Sequence, residues 1–231
     1  MKKIVITQSN YIPWKGYFDS IAISDEFVIY DDMQYTKRDW RNRNIIKTNN
    51  GLKWLTIPVE VKGKFFQKIK DTKISDKNWN INHLSTLKHN YKNSNKFNEV
   101  KDFIEDLYFN ATQNYLTEIN VHFLTELSKY LKIKHNFKLS SEFNLSEDRN
   151  QRLVDICLKL NGNQYFSGPA ARNYMNESLF EKSGIEVIYF DYSGYKEYEQ
   201  LYPPFEHGVS ILDLIFNMGE DAYKYLKSTR K

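Results

Sequence analysis

Apolar residues at the start of the chain bunch into two short runs with a polar break between them. Residues 2–7, Lys-Lys-Ile-Val-Ile-Thr, have the length and continuity of a buried strand. Asn10 and Pro13 interrupt the pattern; a helical spacing begins near Gly16 and ends at Ser24-Asp25. Glu26-Phe27-Val28-Ile29-Tyr30 is a second apolar strand that runs into Asp31-Asp32. Strand, short helix and strand make a βαβ unit, which predicts parallel pairing, a right-handed crossover and both strand C-termini at one edge.

Further along, Trp54-Leu55-Thr56-Ile57-Pro58-Val59 predicts a third strand, Lys62-Gly63-Lys64 a turn, and residues 65–74 an additional strand. Trp79, Ile81, Leu84, Leu87 and Tyr91 recur near helical spacing, which predicts a helix over 78–93, and similar spacings predict helices over 95–110 and 113–132. Strand and helix then alternate again: a strand at 134–139, a helix at 150–160, a strand at 164–166, a helix from about 176 to Gly184, and a strand at 186–190. Two helices, 210–216 and 220–226, end the pattern. The predicted fold class is α/β: a mainly parallel central sheet with helices on its faces, one domain over 1–231, and a helical block at 78–132 inserted within it.

The length of 231 residues is ample for one core. A mean hydropathy of −0.66 and apolar runs no longer than a strand argue against a membrane span. Met1-Lys2-Lys3 leads directly into Ile4-Val5-Ile6 without the pattern of a signal peptide, so the expected location is the cytoplasm. The net charge of +4 is spread along the chain, which disfavours a nucleic-acid partner and suits an anionic small molecule. With 17 Tyr, 15 Phe and 4 Trp the chain has rings to spare for stacking on sugars or bases, although most belong in the core. The single cysteine, Cys157, lies on a helical apolar face and is expected to be a buried structural thiol.

Candidate chemistry gathers at three strand ends. The first is Asn10-Tyr11-Ile12-Pro13-Trp14-Lys15-Gly16-Tyr17-Phe18, where a strand hands over to a helix. It reads either as an anion site, with Gly16 allowing close approach and Trp14 and Tyr17 stacking, or as a turn with packed aromatics. The second, Asp31 to Asn44, interleaves Asp31 and Asp32 with Gln34, Tyr35, Lys37, Arg38, Arg41, Asn42 and Arg43. Arginines suit bidentate phosphate contacts, and Asp31 or Asp32 could hold a metal or act as a base. Alternation along an extended segment sets Arg41 and Arg43 on one face, Asn42 and Asn44 on the other. The third is Ser167-Gly168-Pro169-Ala170-Ala171-Arg172-Asn173-Tyr174, which reads as a loop closing over a nucleotide or sugar, or as a helix-initiating turn. Of the histidines, His83, one helical turn after Trp79, is the acid/base candidate; no pair has zinc-site spacing.

Gln8 to Phe18, Asp31 to Tyr35, Trp40-Arg41-Asn42-Arg43, Trp54 to Val59, Tyr165 to Pro169 and Ser210 to Leu214 together resemble the WbqC-like proteins of bacterial surface-polysaccharide gene clusters. That resemblance implies a role in O-antigen or capsule biosynthesis. The opening order of elements, with Met33-Gln34-Tyr35 after the second strand, is also similar to the nucleotide-binding half of pantothenate synthetase and related nucleotidyltransferases. Trp14-Lys15-Gly16-Tyr17 stands where those enzymes carry a His-x-Gly-His turn, and Arg172-Asn173 where they carry a Ser-Arg-Asn loop. Both histidines are absent, so the chain either holds a nucleotide by stacking and Lys15 or has the sheet without adenylation chemistry.

The expected function is amide-forming acyl or aminoacyl transfer to the amine of a nucleotide-linked sugar. ATP and a divalent cation are the candidate cofactors, with an acyl or amino-acid donor as second substrate. The alternative is a protein of the same pathway that binds a nucleotide sugar without turning it over. Lys15, Arg41 and Arg43 are expected on phosphate, Asp31, Asp32 and His83 in chemistry, and the first two strand-end loops and the Gly168 loop in one pocket.

Overall fold

A computed structural model describes residues 1–229. In chain order the elements are β1 (Lys3–Thr7), α1 (Lys15–Ile23), β2 (Glu26–Ile29), β3 (Arg43–Thr48), β4 (Gly51–Thr56), α2 (Trp79–Tyr91), α3 (Phe97–Phe109) and α4 (Leu116–Tyr130), then β5 (Phe137–Leu139), α5 (Arg149–Lys159), β6 (Gln164–Ser167), α6 (Glu177–Lys182), β7 (Glu186–Tyr189) and α7 (Ile211–Met218). β1, β2, β5, β6 and β7 form one sheet in the order β5-β2-β1-β6-β7, every neighbouring pair parallel. The chain winds outward from β1 through β2 to β5, then crosses back to β6 and β7 on the other side. The direction therefore reverses between β1 and β6, and a crevice opens at their C-terminal ends.

The short strands at the centre are apolar on both faces because both faces are covered. Val5, Phe27 and Ile29 face one cluster, shared with Tyr17, Phe18 and Ile21 of α1 and with the helical insertion. Ile4, Ile6 and Val28 face the other, against Val154 and Cys157 of α5 and Phe180 of α6. In the insertion, α4 buries Leu116, Ile119, Phe123 and Leu127, the spacing of one helical stripe.

β3 and β4 form a separate antiparallel hairpin, Arg43 opposite Thr56 and Thr48 opposite Gly51, whose tight turn uses Gly51 at φ +95°. The strand expected at 54–59 thus starts earlier and ends at Thr56, before Pro58, and its partner was not anticipated. Residues 65–74 do not form the expected strand. They make isolated bridges, Gln34 with Lys68 and Val59 with Ile74, and a 3₁₀ turn at Ile69–Asp71, because Phe65 and Phe66 point outward and no sheet flanks them. The strand expected at 134–139 shortens to β5. The helix expected at 220–226 is a 3₁₀ segment, Gly219–Tyr225, opened by Gly219 at φ +56°.

Residues 190–209 have no regular secondary structure and lie over the hairpin and α1. Asp213 of α7 anchors them: fully buried, it accepts from Tyr91 Oη at 2.8 Å, Tyr198 Oη at 2.7 Å and Gln200 Nε2 at 2.7 Å. Burial pushes its carboxyl upward against the pull of those donors. Among the described residues no helix is long and apolar enough to cross a membrane.

Candidate functional site

At the reversal point a cavity of about 400 Å³ opens over the ends of β1 and β6. Its floor is Thr7 with Ser167 and Gly168; Tyr17 and Ser20 of α1, Tyr30 and Met33 beyond β2, and Phe190 and Tyr192 beyond β7 form walls. The start of α5 and Tyr174 close the remaining side. All three strand-end loops marked by the sequence therefore contribute wall residues, as parallel topology dictates.

Two guanidiniums reach this cavity from different segments. Arg41 is nearly enclosed, its Nη1 donating to Gln8 Oε1 and its Nη2 to Asp39 Oδ1 at 3.4 Å. Burial lowers its pKa, with Asp39 partly offsetting this; an arginine stays protonated regardless. Its backbone is pinned by Asn120 of α4, whose Nδ2 donates to both the Arg41 carbonyl and Ser9 Oγ at 2.9 Å. Tyr17 Oη donates to the Gln8 carbonyl at 3.0 Å and completes this corner. Arg149 lies exposed at the first turn of α5, 5.8 Å from the Tyr174 ring. Asp148 already caps that helix, accepting from Asn150 N at 3.0 Å and Gln151 N at 2.8 Å, so the cation available to a ligand here is the Arg149 side chain.

The titratable side chains on the wall are these two arginines and Tyr17, Tyr30, Tyr165, Tyr174 and Tyr192. Burial raises the hydroxyls of Tyr17, Tyr30 and Tyr165, and pushes Tyr192 up to about 12, so at neutral pH these four are uncharged rings with a polar tip.

Of the residues singled out by sequence, Tyr17, Arg41, Ser167 and Gly168 line the cavity. Trp14 packs behind its wall, edge-on to Tyr192 at 5.2 Å and Tyr195 at 5.5 Å. Gly16 serves that ring: a Cβ there would lie 2.3 Å from the Trp14 indole, so the close approach it permits is by a side chain of the same turn. Lys15 is turned away and buried, donating to the Lys196 carbonyl at 3.0 Å above the rings of Tyr195, Tyr198 and Phe205. Asn10 keeps its carboxamide oxygen buried outside the cavity wall. Alternation holds at 41–44, with Asn42 and Asn44 inward, bonded to the carbonyls of Ile57 and of Tyr11 and Ile12. Arg43 does not join Arg41; it lies over the Trp54 ring at 4.0 Å.

Gln34 donates to the Phe65 carbonyl at 2.9 Å, Tyr35 is in the core, and Lys37 and Arg38 are exposed. Arg172 stands over the Tyr189 ring at 4.7 Å, and Asn173 faces solvent. Neither is on the cavity wall.

The three residues expected in chemistry are held elsewhere. Asp31 accepts from Ser141 N at 3.0 Å and Ser141 Oγ at 2.9 Å. Asp32 accepts from Ser140 Oγ at 2.6 Å and pairs with Arg152. Both carboxylates are occupied by protein donors, and no group of three His, Cys, Asp or Glu among the described residues could hold a metal. They do not fit a carboxylate-bound cation. His83 is buried in the insertion: its Nε2 donates to the Thr56 carbonyl at 3.2 Å. Nδ1 must then accept from Tyr11 Oη at 2.9 Å, and Tyr108 Oη in turn donates to Tyr11 Oη at 2.6 Å. Burial lowers the imidazole to about 4, so it is neutral and its two nitrogens are spoken for.

The sequence reading missed Tyr30, Arg149 and Tyr192, and gave no role to Gln8 or Tyr174 although both lie in the segments it marked. Tyr30 carried a signal, as the first residue past β2 at the predicted ligand edge. Arg149 carried another, as a cation at the helix start that follows β5.

No solved structure matches the chain. It is 47% identical, over the full length of both proteins, to the uncharacterized protein Rv1507c of Mycobacterium tuberculosis (strain ATCC 25618 / H37Rv). Residues 8–225, which include nearly every wall residue of the cavity, match the WbqC-like protein family. The chain belongs to the WbqC-like protein family.

Proposed function

We propose that the cavity binds a nucleotide-linked sugar and that the chain acts in bacterial surface-polysaccharide biosynthesis by joining an acyl or aminoacyl group to the sugar's amine. The observation that carries this is the pairing of Arg41 and Arg149 with a tyrosine-rich wall at the point where the parallel sheet reverses. Arginine forks suit a diphosphate, and the flat faces of Tyr30 and Tyr174 suit a base or sugar ring. Ser167 offers a hydroxyl to the sugar, whereas that of Ser20 donates to the Tyr17 carbonyl at 2.6 Å. The likeness to nucleotidyltransferase sheets belongs to this reading, with Arg41 taking the anion in place of Lys15.

The wall residues favour amide formation over other transfers. An amine with a pKa near 8 is partly neutral at pH 7 and attacks without help, whereas a hydroxyl nucleophile needs a base and glycoside cleavage needs two carboxylates. The amine nitrogen bonds to the carbonyl carbon of an already activated acyl donor, the bond to the leaving group breaks with its electron pair, and the amine proton is lost to the leaving group or solvent. The chain's contribution is proximity and orientation. A second reading, binding without turnover, is favoured by the same wall, which carries no carboxylate, imidazole or thiol.

The test is the melting temperature in uridine, deoxythymidine and guanosine diphosphate-sugars, with and without an amine on the sugar, since a ligand of the native state stabilises it. Arg41→Ala and Arg149→Ala should each weaken binding by about 1.5–3 kcal/mol, roughly 10- to 150-fold. Equal shifts in wild type and both variants would remove the cavity from the reading. Bound amino sugar that gains no acyl mass from thioester donors would leave the second reading standing.

A further inference from the structure

The loop after β4 carries the two most exposed large apolar residues beyond Met1, side by side: Phe65 is 72% exposed and Phe66 83%. Their rings meet edge to face at 4.9 Å. This is a braced projection. Lys64 N donates to the Val61 carbonyl and Gln67 N to the Lys64 carbonyl, both at 3.3 Å. Gln67 Nε2 donates to the Glu60 carbonyl at 2.7 Å, and Gln34 Nε2 to the Phe65 carbonyl at 2.9 Å. The backbone beyond the tip is tied to the segment after β2 by Tyr35 N to the Gln67 carbonyl at 2.9 Å and Ile69 N to the Met33 carbonyl at 2.8 Å. Fixing two phenylalanines in water by so many bonds serves no core.

The surroundings of the tip are basic. Lys62, Lys64 and Lys68 are exposed on either side of the phenylalanines, and Lys37 and Arg38 are exposed on the adjoining segment. The nearby acids are Glu60, already paired with Lys64, Asp39, paired with Arg41, and Asp71. We propose that the Phe65–Phe66 tip is a membrane-docking element, which sinks both rings into the interfacial region of an anionic bilayer while the lysines meet the headgroups. Two phenylalanines at these exposures present roughly 300 Å², well short of the ~800 Å² per partner of a stable protein interface. A small convex apolar tip ringed by cations instead matches what lipid interfaces accept. The root of the loop is bonded to the backbone of Met33, a wall residue of the cavity. The proposal does not depend on what the cavity binds.

The experiment is co-sedimentation of the full chain with vesicles of phosphatidylcholine alone or mixed with phosphatidylglycerol. Wild type should partition to the anionic vesicles, and added salt should weaken that partition several-fold. Phe65→Ser with Phe66→Ser should lower it about tenfold or more, and Lys62→Glu with Lys68→Glu should abolish its salt dependence. Melting temperatures should not change, because these side chains are exposed. Absence of wild-type partition, or a phenylalanine double variant that partitions as wild type, would overturn the proposal. So would a wild type that dimerises through the tip and ignores vesicles, which would make the tip a protein interface.

Discussion

Acid should act on this fold through His83. The buried ring, lowered to about 4, resists a proton that the unfolded chain takes up near pH 6.5. A group whose folded pKa is depressed contributes stability that is complete above its unfolded value and lost as pH falls toward the folded one. Between pH 7.5 and 4.5 the unfolded state binds this proton and the folded state largely does not, a loss of about 2–3 kcal/mol from the one residue. His83→Gln removes the titration while keeping a donor for the Thr56 carbonyl and an acceptor for Tyr11 Oη. Urea midpoints of both proteins at both pH values isolate the effect, because the carboxylates that titrate in this range are common to the two and cancel. The wild type should lose about 2–3 kcal/mol more than the variant. If the two losses agree within ~0.5 kcal/mol, burial does not hold the imidazole neutral.

Gly16→Ala should cost about 1–3 kcal/mol of stability, seen as a lower melting temperature, because its methyl would overlap the Trp14 indole. The cost should vanish in a Trp14→Ala background, and an equal cost there would place the strain elsewhere. Cys157, fully buried with its thiol pushed up to about 12, should be alkylated by iodoacetamide only as fast as the protein unfolds. Rapid labelling of the native protein at pH 8 would contradict its packing against α6 and β1.

The strands and helices that were legible are those whose side chains do nothing but pack. Ile4-Val5-Ile6 and Phe27-Val28-Ile29 read as doubly covered strands because they are. β3 was illegible because Asn44 and Lys47 are buried in it; Asn44 bonds the turn at Tyr11 and Ile12, and Lys47 donates to Gln200 Oε1 at 2.8 Å. No local pattern foretells partners so distant in sequence. The same limit applies to the site. Parallel topology fixed which loops meet, but Asp31 and Asp32 are claimed by Ser140, Ser141 and Arg152, more than a hundred residues on. Alternation sets Arg41 and Arg43 on one side and Asn42 and Asn44 on the other, but it does not say that Arg41 meets the cavity while Arg43 meets the Trp54 ring.

The position of β1 has a consequence for how the chain is made. Among the strands of this sheet, the one made earliest is the middle one, and it waits on one side for β6, about 160 residues later. At roughly 5–20 residues per second that is an interval of about 10–30 s during which a βαβ unit exists with its inner edge open. Lys3, Ile4 and Val5 offer that edge to any extended segment nearby. The wall of α1 is secured later still: Asp19 is satisfied by Tyr195 Oη at 2.5 Å and by Lys227 N and Ser228 N at 3.0 and 2.8 Å. Assembly of the cavity therefore waits for these later segments, and cells overproducing the chain should gain more from a holdase than from any stabilising substitution near β1.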